Sequence, residues 1–197
     1  MQSTITEKIA KAVIKLLGWK AVGKMPNAPK YILVGYPHTS NYDTLIGIFI
    51  FLSMGVHIKW IGKQSLFKGP VGWLIKKTGG IPVNRQKSQN FVRNIQTVFN
   101  KYDRLVIALS PEGTRQKTDF WRTGFYYMAL AAQVPIALGY LDYPTKTGGF
   151  GPLIWPSGNI KQDMEKIRTF YQGIHGKYPQ LEGAIRIKEK KQEKPIM

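Results

Sequence analysis

Residues 31–52 read YILVGYPHTSNYDTLIGIFIFL. The run YILVGY is continuously apolar, the pattern of a strand buried on both faces. The second apolar run, from Thr44 to Val56, is shorter than the ~20 residues needed to cross a bilayer and reads as a buried helix. Between them lies the loop HTSNYD, with His38 five residues before Asp43. In one continuous helix such a step would turn the two side chains roughly 140° apart. They meet only if His38 sits in the loop and Asp43 in the first helical turn. Ser40 as N-cap with Asp43 three residues on fits that arrangement, an acidic variant of the capping box. Two readings follow for the pair. His38 is a base oriented by Asp43, or His38 is a loop residue and Asp43 a capping carboxylate that favours the helix dipole.

The same alternation continues outward. HIKWIGK and GGIPVNR read as strands, with a short helix in GPVGWLIKKTGG between them. SQNFVRNIQTVFNKY has one apolar helical face, and RLVIALS is a strongly buried strand. A helix is expected over residues 120–133, a strand in VPIALGYLDY, and a strand or turn-rich loop in TGGFGPLIWPSG. The last helix is expected over residues 160–176. The expected fold is therefore α/β, a single domain with a mainly parallel central sheet flanked by helices. Ligands on such sheets gather beyond the carboxyl ends of the strands. His38, Arg85 and the PEGTR loop all follow strands, so they are expected at one edge of the sheet.

Before the sheet stands a basic amphipathic segment. Ile5, Ile9, Val13, Leu16 and Leu17 recur at helical spacing, interleaved with Lys8, Lys11, Lys15 and Lys20, with Trp19 near the end. It reads either as a helix lying in a membrane interface or as an ordinary helix packed on the domain. It has no uninterrupted apolar stretch and no small-residue cleavage site, so no secretory leader is expected.

The chain carries 29 Lys and Arg against 11 Asp and Glu, a net charge of +18 among 197 residues. Such a balance attracts polyanions: an anionic membrane surface, phosphorylated substrates or nucleic acid. There are no cysteines, which excludes disulfides, thiolate metal sites and thiol nucleophiles. No G-x-S-x-G elbow, P-loop or G-x-G-x-x-G motif is present. The three histidines, His38, His57 and His175, are far apart, which gives little support to zinc.

Two further stretches carry candidate chemistry. In SPEGTR, residues 110–115, Gly113 permits close approach of the backbone to a ligand, and Arg115 suits a phosphate. The plainer alternative is a surface turn. Arg85, closing GGIPVNR, and Lys63, in GKQSLF, are either phosphate contacts or solvated charges.

Taken in order, His-x4-Asp, GGIPVNR, EGTR and VPIALGY resemble the blocks of the glycerophospholipid acyltransferase family, typified by bacterial 1-acylglycerol-3-phosphate acyltransferase. The stretch KQSLFKGPVGWLIKKTGGIPVNR is similar to the family's second block. The resemblance covers about residues 31–143. Pro37 stands where family members often have asparagine. The chain is short for the family and has no long N-terminal hydrophobic segment, so the membrane contact is expected to be peripheral, on the cytoplasmic side.

The resemblance implies an O-acyltransferase moving an acyl group from acyl-CoA or acyl carrier protein to the hydroxyl of a lysophospholipid, with 1-acylglycerol-3-phosphate the family default. His38 would be the general base and Asp43 its orienting carboxylate. Arg85 and Arg115, with Lys63, would hold the acceptor's phosphate. Glu112 would orient an arginine or accept a hydrogen bond from the acceptor, and Gly113 and Thr114 would shape the loop. Neither a metal nor a bound cofactor is expected. Residues 1–25 would form the membrane-surface segment, 26–185 the acyltransferase domain and 186–197 a charged tail. An anionic membrane is the expected partner and nucleic acid is not. Two alternatives stand beside this: a family member acting on another lipid acceptor, and a non-catalytic basic protein binding lipid or nucleic acid.

Overall fold

The computed structural model describes residues 4–77, 79–83 and 94–188. In chain order the elements are α1 (Ile5–Leu16), β1 (Lys20–Val22), β2 (Lys30–Gly35), α2 (Tyr42–Ser53) and β3 (Ile58–Lys63). A 3-10 turn (Gln64–Phe67) leads into α3 (Gly69–Lys77) and β4 (Gly80–Val83). Then come α4 (Ile95–Asn100), β5 (Leu105–Leu109), α5 (Gly124–Ala132), β6 (Ile136–Asp142), β7 (Thr147–Ile154) and α6 (Ile160–Tyr171).

The described strands form one seven-stranded sheet in the order β1-β7-β6-β2-β5-β3-β4. Every neighbouring pair is parallel except the β6–β7 hairpin. The sheet is covered on both faces, and the pleat of β2 shows why. Ile32 and Val34 point into a core with Phe99 on α4, Phe125 and Met128 on α5, and Ile167 and Tyr171 on α6. Tyr31 and Leu33 point the other way, into a core with Ile14 on α1 and Ile50 and Phe51 on α2. With no polar face to show, β2 had to read as a continuous apolar run. The expected α/β fold with its mainly parallel sheet is what forms.

Several boundaries differ from the sequence reading. The N-terminal helix stops at Leu16, Gly18 turns at φ 75°, and Trp19 is buried instead of extending the amphipathic face. Strand β1 follows and pairs with β7, an edge the sequence did not announce. Gly149 makes that pairing possible: a Cβ there would stand 1.8 Å from the Val22 carbonyl oxygen. TGGFGPLI is thus a strand. Helix α5 begins at Gly124, because Trp121 is drawn into an isolated bridge with Ile187. Helix α6 ends at Tyr171, ahead of Gly173 at φ 78°. The start of the helix expected from Ser88, and Arg85 at the end of GGIPVNR, lie outside the described residues.

Candidate active site

The loop between β2 and α2 carries His38 to the carboxyl edge of the sheet. Thr39 and Ser40 both donate backbone N–H bonds to Asp43 Oδ2, each at 2.8 Å. The same oxygen lies 3.3 Å from His38 Nδ1. One carboxylate oxygen therefore both closes the start of the helix and faces the imidazole. The cap itself is only half a capping box. Asp43 reaches back to the Ser40 N–H, but the Ser40 hydroxyl accepts from Tyr42 N–H at 3.2 Å, and the residue flanking the helix is Asn41. Asp43 is buried at 6% exposure, while the His38 side chain keeps 23%. That difference leaves the ring open to an incoming molecule and its partner closed to water.

The loop after β5 meets His38 from the other side. Glu112, 2% exposed, accepts the His38 backbone N–H at Oε2 (2.8 Å) and the Gly183 N–H at Oε1 (3.1 Å). Burial pushes its carboxyl up to about 7, against the opposing pull of those two donors and of His38; Glu182 adds to the rise. No described arginine reaches Glu112; among the described residues it holds backbone. Gly113 turns at φ 66°, its N–H closing on the Ser110 carbonyl at 3.2 Å, with the Arg122 side chain packed against its Cα. Thr114 Oγ1 accepts from Gln116 N–H at 3.2 Å and so stiffens the turn. The Arg115 guanidinium donates to Asn41 Oδ1, tying the two loops together beside His38.

A cavity of about 550 Å³ opens between these loops. His38, Asp43, Gly113, Arg115 and Arg122 line its polar part, and Phe51, Ile58, Ile61, Leu109, Phe125 and Met128 its apolar part. A cavity lined by both cationic and apolar side chains, with His38 among them, suits an amphiphile with a charged head. Of the residues singled out in the sequence, His38, Asp43, Glu112, Gly113, Thr114 and Arg115 come together here. Lys63 ends β3, beside Val83 of β4 in register, but its side chain and Arg85 lie outside the described residues. Among the described residues no group of three or more His, Asp or Glu side chains is placed to hold a metal ion.

Sequence reasoning missed Tyr143, whose hydroxyl donates to Asp43 Oδ1 at 2.6 Å, and Gly183 and Arg122. Nothing local marks Tyr143 or Gly183, because each reaches the site from far along the chain.

A family model described as Acyltransferase matches residues 21–138, the span that holds both loops. The chain belongs to the acyltransferase family. Within the family it is 27% identical to the chloroplastic 1-acyl-sn-glycerol-3-phosphate acyltransferase of Arabidopsis thaliana over 137 residues, 66% of this chain and 38% of that protein. It is also 27% identical to a chloroplastic counterpart from Brassica napus over 104 residues, 50% of this chain and 30% of that one. The chain thus spans less than half the length of either relative. The crystal structure of the 1-acyl-sn-glycerophosphate acyltransferase PlsC from Thermotoga maritima shares the fold, with a TM-score of 0.57 and 20% identity over 82% of this chain and 73% of that one. Among the described residues of this family member, no helix is long and apolar enough to cross a membrane.

Proposed function

We propose that the protein transfers a fatty acyl group from an acyl thioester, on coenzyme A or acyl carrier protein, to the hydroxyl of a lysophospholipid, with 1-acylglycerol-3-phosphate as the foremost acceptor. The observation that carries this reading is the His38–Asp43 pair lining one cavity together with cationic and apolar side chains. With Nδ1 turned to Asp43, His38 has Nε2 left for the acceptor hydroxyl. As the hydroxyl oxygen attacks the thioester carbon, Nε2 takes its proton, and Asp43 stabilises the imidazolium that results. The tetrahedral oxyanion collapses, the C–S bond breaks, and the imidazolium returns the proton to the departing thiolate. No acyl-enzyme forms; the lipid hydroxyl fills the place a serine would take.

Arg115, with Arg85 and Lys63, is assigned to the acceptor's phosphate. Glu112 is assigned to the loop: through the His38 N–H it sets where the ring stands. The apolar interior takes the hydrocarbon part of a substrate.

Lysophospholipids reside in bilayers, and α1 is built to meet one. Ala10 and Ile14 pack it onto the domain, while Ile5, Ile9 and Leu16 on its outer face are 77%, 56% and 87% exposed. Lysines flank that stripe, and the charge of +18 draws the molecule to anionic headgroups.

The test is transfer from radiolabelled acyl-CoA and acyl carrier protein to a panel of lysolipids on anionic vesicles, with wild type beside His38→Ala. Transfer by wild type, reduced in the variant by about 10²–10⁴-fold, is expected. Full activity in His38→Ala overturns the general-base mechanism, and no transfer by wild type overturns the reading and leaves a binding protein.

A further inference from the structure

Asp43 presents two oxygens, and only Oδ2 is used by His38, Thr39 and Ser40. Oδ1 accepts the Tyr143 hydroxyl at 2.6 Å, a short bond to a buried carboxylate. Tyr143 follows β6 and lies beyond residue 138, outside the stretch that matches the family. It is held at both ends. Its N–H donates to the His175 carbonyl at 2.9 Å, and its carbonyl accepts from Lys146 N–H at 3.3 Å. The Trp19 ring packs edge-on against it, centroids 5.0 Å apart at 89°. Burial, then the hydrogen bond to Asp43 and its charge, push the phenol far above its ordinary range, so it remains a donor at any working pH.

We propose that Tyr143 is a positioning residue for the His38–Asp43 pair: its hydroxyl fixes the Asp43 carboxylate and sets how much charge that carboxylate shows to the imidazole. The proposal rests on the reading of His38 as general base. A donor on Oδ1 draws charge away from Oδ2. Without it, Asp43 would hold a proton on His38 more strongly, and one of the bonds that fix its carboxylate would be lost. The other groups facing this cluster are Glu112 on the His38 backbone, Arg115 across Asn41, Tyr178 beside the phenol, Lys177 over the Tyr42 and Tyr178 rings, and His175 beside Glu182, which accepts the Gly176 N–H. None of these donates to Oδ1. Because Trp19 follows directly on α1, the same phenol also ties the pair to the helix assigned to the membrane surface.

The experiment compares Tyr143→Phe, which removes one oxygen atom, with wild type, His38→Ala, Asp43→Asn and the Tyr143→Phe/Asp43→Asn double variant. kcat, both KM values and the pH profile are recorded, with thermal unfolding to follow the fold. For Tyr143→Phe, kcat should fall about tenfold with both KM values unchanged. The acid limb of its kcat/KM profile should move up by about half a pH unit or more. In the Asp43→Asn background the same change should have little further effect. An unshifted acid limb, additive losses, or a variant that fails to fold would each reduce Tyr143 to a structural bond and overturn the proposal. Activity retained by His38→Ala would instead sink the general-base reading beneath it, so the two failures are distinct.

Discussion

Two connections at the carboxyl edge of the sheet, from β2 into α2 and after β5, each bring one buried carboxylate to His38, and they use it differently. Asp43, in the first turn of α2 where the loop after β2 ends, lies 3.3 Å from the ring nitrogen. Glu112, from the loop after β5, touches only the backbone N–H of the same residue. Asp43 also accepts from two backbone N–H groups and a phenol, so its position is over-determined. Glu112 has two backbone donors and deeper burial, and its carboxyl is pushed up to about 7. The comparison teaches that carboxylates equally near a histidine can divide the work: one addresses the imidazole, the other the loop that carries it.

The largest expected effect comes from Asp43→Asn. Asparagine can still offer its oxygen to the Thr39 and Ser40 N–H groups and its NH₂ to the Tyr143 oxygen, so the loop survives and only the charge is lost. kcat should fall by a factor on the order of 10²–10⁴, with a melting temperature within a few degrees of wild type. Activity within tenfold of wild type would make Asp43 a cap and erase the division between the loops.

Glu112→Gln sharpens the other side. The folded chain holds a proton on Glu112 at pH values where the unfolded chain has released it. Stability therefore falls as pH rises from the ordinary carboxylate range to about 7, by on the order of 3 kcal/mol in total. Above that the contribution is flat. Denaturant unfolding of Glu112→Gln across this window should show the slope removed. An unchanged slope would mean that the two backbone donors outweigh burial, and Glu112 would then resemble Asp43 more than it differs from it.

How much of this was legible depends on the range of each interaction. Strands β2, β5 and β6 are covered on both faces, so they stand out as unbroken apolar runs. His38 and Asp43 were legible as a pair because loop and first helical turn lie within six residues of one another. Strand β1 was not: its three residues are all exposed, so it shows no burial pattern, and its pairing depends on a bare glycine edge in β7. The partners of Glu112 are backbone N–H groups, which any residue but proline supplies, so no side chain advertised them. Tyr143 sits in a strand-like apolar run, and only the return of the chain beside α2 turns its hydroxyl to Asp43.

A smaller effect is expected at the turn that sets Glu112. Gly113 has φ 66°, and a Cβ there would come 2.7 Å from Arg122 Nε. Gly113→Ala should cost about 1–2 kcal/mol from the left-handed backbone alone. Arg122 lines the cavity together with Arg115, which is assigned to the acceptor's phosphate, so pushing it aside should raise the acceptor KM more than the donor KM. Equal changes in both would remove Arg122 from the acceptor end.

The smallest effect on the domain, and the sharpest contrast with both loops, is expected on α1. Ile9 and Leu16 lie on its solvent face, so replacing either with serine opens no cavity and breaks no described hydrogen bond. Stability should stay within about 0.5 kcal/mol, the range of surface substitutions. Partition onto anionic vesicles should weaken by severalfold for each, because each loses apolar area that only a bilayer would bury. Ala10→Ser and Ile14→Ser, on the buried face of the same helix, should do the reverse, lowering stability while leaving vesicle affinity of the folded fraction alone. Cosedimentation with vesicles beside thermal unfolding separates the two faces. If the outer-face variants partition as wild type does, α1 is simply a packed helix, and the attraction to membranes rests on the charge of +18 spread over the rest of the surface.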